Sequence, residues 1–124
     1  MIRVVGLLGK IDKLARTIKG ELVIHFRIAS VGGVCDELRH PFPVTQKSKL
    51  AARGRTGAVL FQNGTWGGYT EALRFAKSEG HKLPEGDMSD ARAAAFLVSI
   101  YGHKFLAKCG SSRWVYMNGT ETMT

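Results

Sequence analysis

Lys10, Lys13, Arg16 and Lys19 lie in one turn-forming stretch between two apolar runs. A cluster of cations with so few acids among it attracts phosphate oxygens, because each phosphate it neutralises releases condensed counterions. Arg27 belongs to the same set, since the alternation of the run around it sets it opposite Leu22, Ile24, Phe26 and Ile28. Arg39, Lys47, Lys49, Arg53 and Arg55 extend the basic character through the first half of the chain. Three rings stand where a large apolar side chain needs a reason to be. Phe42 lies between Pro41 and Pro43, and Trp66 and Tyr69 flank Gly67-Gly68. A ring displayed beside cations is what a nucleic-acid base stacks on, at about 1–3 kcal/mol per base. Packing in a core or at an oligomer contact is the competing use of each of the three.

Charge supports the polyanion reading. The formal net charge is +8, and residues 1–60 hold eleven Lys or Arg against four Asp or Glu, whereas residues 61–124 hold seven against six. Other chemistries find less support. Asp12, Asp36-Glu37, Asp87 and Asp90 have no motif spacing for a metal-dependent nuclease. Cys35 and Cys109 are far apart, and neither they nor His25, His40, His81 and His103 stand at metal-ligand intervals, so no metal or other cofactor is expected. The cysteines read as free thiols of a reducing compartment. His103-Lys104 near Cys109 forms no nucleophile and base arrangement, and neither glycine pair is followed by the Lys-Ser/Thr of a phosphate loop. No catalytic residue is assigned and a non-enzyme is expected.

The elements that must position these residues come from periodicity. The chain of 124 residues is expected to be one domain. From Ile2 to Ser30 it reads as a long curled strand with Gly6 and Gly9 at bends, the basic turn, and a returning strand of period two. LRHPFPV (38–44) reads as an edge strand broken by its prolines, and QKSKLAAR (46–53) as a short helix ended at Gly54. GAVLFQNGTW (57–66) reads as a strand, and EALRFAKSE (71–79) as a helix capped by Thr70. DARAAAFLVSIY (90–101) carries the clearest helical stripe, with Ser89 as cap and Gly102 as stop. HKFLAKCGSSRWVYMNG (103–119) reads as a hairpin or two short strands, with Trp114 and Tyr116 on one face. No apolar run approaches the ~20 residues of a membrane span, so a cytoplasmic protein without a membrane partner is expected.

Strand, strand, strand, short helix, strand and closing strand is the order of a five-stranded oligonucleotide-binding barrel, and here a family resemblance enters. Val5, Gly9, Ile11, Arg16-Thr17, Gly20, Phe26 and Ile28-Ala29 resemble the opening of bacterial and phage single-stranded-DNA-binding proteins. Lys49-Leu50-Ala51 resembles the start of that family's helix, and Gly57 to Gly64 its fourth strand. Three departures mark a divergent relative of phage, plasmid or primosome type. Residues 70–103 form an added helical segment, LRHPFPV stands in place of a Trp-rich third strand, and the chain ends at NGTETMT where the family has an acidic tail.

The resemblance implies a mainly β fold with added helices: a five-stranded OB-fold barrel spanning residues 1–124, with a helical insertion at about 70–103 before the last strand. It implies binding of single-stranded DNA with little sequence specificity, in replication, recombination or plasmid and phage metabolism, by a homodimer or higher homo-oligomer. Two alternatives stand beside it. One is an oligomeric accessory or protein-interaction module docking through the helical insertion. The other is an RNA-binding OB-fold protein, because stacking and phosphate contacts do not depend on the sugar.

Overall fold

The computed structural model describes residues 2–4, 12–13, 16–17, 23, 38, 40–47, 53–119 and 122–123. In chain order these give β1 (Ile2–Val4), β2 (Phe42–Pro43), β3 (Arg53–Arg55), β4 (Ala58–Asn63), α1 (Tyr69–Ser78), α2 (Asp90–Tyr101), a 3-10 segment (His103–Lys108), β5 (Arg113–Asn118) and β6 (Thr122–Met123). The returning strand expected over residues 21–30 falls outside the described residues, except Val23. Within the expected basic turn, Asp12, Lys13, Arg16 and Thr17 are helical.

The described residues form no closed five-stranded barrel. Among the described residues an open antiparallel sheet runs in the order β2-β4-β5-β6, and β1 pairs with β3 as a separate antiparallel ribbon. The centre of the sheet is β4 against β5, in register from Ala58 opposite Asn118 to Asn63 opposite Arg113. Its flanking strands are two residues each, and β2 includes Pro43, which has no amide hydrogen for a further strand.

The physical reason for the departure is legible in the side chains. A barrel strand has one inward face, whereas β4 and β5 bury apolar groups on both. Leu60 and Trp114 belong to the main core with Phe42, Trp66, Leu73 and most of α2. Val59, Phe61 and Met117 form a second cluster on the opposite face, joined by Val23 and Val115. Continuous apolar runs such as Val59-Leu60-Phe61 and Trp114-Val115-Tyr116-Met117 mark strands covered on both sides.

Helix α2 fills the centre of the main core rather than decorating a barrel. Ala91 to Val98 are all buried, and the helix packs on α1, the 3-10 segment, β2 and β4. A helix apolar on every side is a core helix, and its alanines let neighbouring backbones approach closely. Its ends are set locally. Ser89 is extended and its Oγ accepts from the Arg92 amide at 3.2 Å, and Gly102 stops the helix at φ 84°, a left-handed conformation suited to glycine. Arg92 itself is buried; its Nη1 donates to the Asp87 carbonyl at 2.8 Å and its Nη2 to the Glu85 carbonyl at 2.6 Å. Burial pulls this guanidinium below its ordinary value, with Asp87 acting in the opposite sense.

Other boundaries move. Helix α1 starts at Tyr69 after Gly68, so Thr70 lies inside it and no side chain caps it. Gln46 and Lys47 form a turn while Arg53 and Gly54 are already strand, so both ends of the expected 46–53 helix take other conformations. Residues 103–108 form a 3-10 segment instead of the first strand of a hairpin.

Candidate nucleic-acid interface

Of the three rings expected to stack on bases, two are drawn into the interior and the third is half-buried. Phe42 is 2% exposed and Trp66 7%, both within the main core, and Tyr69 is half-buried against it at the start of α1. Burial removes both faces of the Phe42 and Trp66 rings from a ligand. The Trp66 ring instead meets the Phe105 ring edge-on at 6.2 Å, and its amide donates to Asp90 Oδ2 at 2.8 Å.

The expected basic residues divide. Lys10, Lys19, Arg27, Arg39 and Lys49 lie outside the described residues. Lys13 and Arg16 are exposed, with Arg16 Nε 3.1 Å from Asp12 Oδ2 in a pair one helical turn apart. An ion pair this open contributes about 0.5 kcal/mol and leaves the guanidinium able to exchange partners. Lys47 is exposed in the turn after Thr45, whose Oγ1 accepts its amide hydrogen at 3.3 Å. Arg53 and Arg55 sit on β3 in register with Val4 and Ile2.

A surface absent from the sequence reading gathers where α2 ends. Tyr101, the last residue of α2, is 37% exposed and stacks on Phe105 with ring centroids 5.5 Å apart and planes inclined by 29°. The His81 ring meets Tyr101 at 6.2 Å and 79°. Lys104 and Lys108 are exposed on the same 3-10 segment as Phe105. The His103 ring lies 5.7 Å from that of Tyr116. Between Asp90 and Glu121 the chain has no carboxylate side chain, while it carries Arg92, Lys104, Lys108 and Arg113. That acid-free interval with interleaved rings is the available signal in the sequence, masked by the six acids that bring residues 61–124 as a whole close to neutral.

One acid does border this surface. The Tyr101 hydroxyl donates to Glu79 Oε2, joining the end of α2 to the end of α1, and that carboxylate pushes the phenol above its ordinary value. Gly102 is what turns the chain here, placing Phe105 back over Tyr101, and the Phe105 amide donates to the Gly102 carbonyl at 3.1 Å.

Chemically the surface offers stacking faces and cations. Among the described residues, no group of three or more His, Cys, Asp or Glu side chains is placed to hold a metal ion. Cys109 is buried, its thiol donating to the Phe105 carbonyl at 3.6 Å, and burial pushes it up to about 11. Among the described residues no helix is long and apolar enough to cross a membrane. Compared with family models, with curated proteins and with solved structures, the chain matches none.

Proposed function

We propose that this protein binds single-stranded DNA, through cations on phosphates and a small aromatic platform on bases. The observation that carries the reading is the exposed Tyr101 ring stacked on the half-buried Phe105, with Lys104 and Lys108 exposed on the same 3-10 segment in an acid-free stretch of chain. Single strands bind along a positive track with bases laid on aromatic faces, and this surface supplies both parts. The excess of cations in residues 1–60 adds long-range attraction of the same sign. The platform differs from the one expected of a barrel, since it sits on a helix end and a 3-10 segment instead of on strands.

Docking of a protein through the apolar face of residues 90–102 has less support, because Ala91 to Val98 are covered by the chain's own sheet and α1. The test is binding of labelled oligothymidine against duplex of the same length, at about 50 and 200 mM salt, where phosphate contacts separate most clearly from stacking. Tighter binding to the single strand, weakening steeply with salt, is the expected result. Equal binding to duplex, or none at the lower salt, overturns the proposal. Oligouridine as competitor distinguishes DNA from RNA at the same surface.

A further inference from the structure

The Glu79 carboxylate stands beside the ring offered to a base, and such a neighbour is not neutral toward base identity. The hydroxyl of Tyr101 donates to Glu79 Oε2, so the carboxylate stands at the exposed hydroxyl end of the ring. Its position is set by backbone, since Glu79 ends α1 with its amide donating to the Phe75 and Ala76 carbonyls at 3.1 and 3.2 Å. The side chain of Glu79 is exposed, and among the described residues Tyr101 is its hydrogen-bond partner.

An ionised carboxylate only accepts hydrogen bonds. Guanine presents two adjacent donors on its pairing edge, N1–H and the N2 amino group, which match the two oxygens of a carboxylate. Thymine presents one N3–H between two carbonyl oxygens, and those oxygens meet the negative charge unfavourably. Recognition of splayed single-stranded bases through their pairing edges is the common mode once a base lies on an aromatic face.

From this geometry we infer that Glu79 makes the Tyr101–Phe105 platform prefer guanine over thymine. The inference rests on the single-strand reading and names the base which that platform selects. Tyr101 stacks and holds the carboxylate, Glu79 reads the edge, and Lys104 and Lys108 attract the phosphates either side.

The experiment compares oligothymidine with the same oligomer carrying one central guanosine, and with one carrying inosine, which keeps N1–H and lacks the amino group. The expected result is binding about fivefold tighter for the guanosine oligomer, with inosine between. Glu79→Gln retains an acceptor for Tyr101 but adds a donor, and is expected to bring guanosine and thymidine oligomers within about twofold of one another. Glu79 is exposed, so this variant is expected to fold, which circular dichroism checks. Equal affinity for the oligomers in the unaltered protein overturns the inference while leaving single-strand binding intact. A guanine preference that survives in Glu79→Gln also overturns it. Failure of every oligomer to bind removes the single-strand reading and this inference with it.

Discussion

Gln62 and Asp90 meet in the interior, with Gln62 Nε2 donating to Asp90 Oδ2 at 3.0 Å. The same amide nitrogen donates to Ser112 Oγ at 3.0 Å, the Trp66 amide reaches Asp90 Oδ2 at 2.8 Å, and the Ala91 amide reaches Oδ1 at 3.0 Å. One buried carboxylate at the start of α2 therefore ties together β4, the loop after it and, through Gln62, the turn before β5. Its charge is met by three donors and by the positive end of the helix. Asp90→Ala is expected to cost about 3 kcal/mol, because it leaves the Trp66 amide and the Gln62 side chain without this acceptor. Asp90→Asn, which can present one oxygen to both, is expected to cost about 1 kcal/mol. Urea denaturation of the two variants checks the order.

The rings separate into the buried pair Phe42 and Trp66, which hold the fold, and the Tyr101–Phe105 stack, of which Tyr101 is exposed and Phe105 half-buried. Phe42→Leu and Trp66→Phe alter packed core positions, so thermal melting is expected to show lower stability, by about 1–3 kcal/mol, with oligonucleotide affinity little changed in the folded protein. Tyr101→Leu and Phe105→Leu are expected to weaken binding of oligothymidine instead, each by about 1 kcal/mol or more. If Trp66→Phe weakens binding more than Tyr101→Leu does, the interface has been put on the wrong face of the molecule.

Lys104 and Lys108 are expected to act on phosphates without regard to base. Changing both to alanine removes two contacts, so the slope of log affinity against log salt should fall in magnitude by about 1.4 for a single strand. Titrations at several salt concentrations read this directly. An unchanged slope would show that these lysines do not touch the strand.

Cys109 reports on the integrity of the core. Burial lifts its thiol from the ordinary 9.0 to about 11, so the native state keeps the proton that the unfolded chain releases above pH 9. The raised value contributes stability that is fully present below pH 9 and is lost as pH rises toward 11. At pH 8 the thiolate fraction alone makes alkylation by iodoacetamide about a hundredfold slower in the native protein than in urea. Rapid alkylation of the native protein, with mass spectrometry locating it at Cys109, would contradict the burial.

Phe96 tests the central position of α2. It is buried among the sheet and helices, and Phe96→Ala is expected to cost about 3–5 kcal/mol by calorimetry, a large part of the stability of a domain this size. An exposed insertion on a separate barrel would lose far less.

What the amino-acid sequence determines by itself is local. Helix α2 runs between its expected cap Ser89 and its expected stop Gly102, because a hydroxyl acceptor, a left-handed glycine and an apolar stripe act within a few residues of where they stand. Strand β4 falls inside the run expected of it for similar reasons. The sheet's openness was decided by tertiary structure, since one face of Val59-Leu60-Phe61 packs on α2 and the other on a second cluster, and periodicity cannot say what covers a face. The fate of the rings was decided the same way. Phe42 and Trp66 look displayed beside prolines and glycines, yet a core assembled from distant segments takes them in. Tyr101 reads as part of a buried stripe, yet Gly102 turns the chain so that Phe105 stacks over it and its hydroxyl meets Glu79 at the surface. Exposure is a property of the whole packing, and residue spacing along the chain does not contain it.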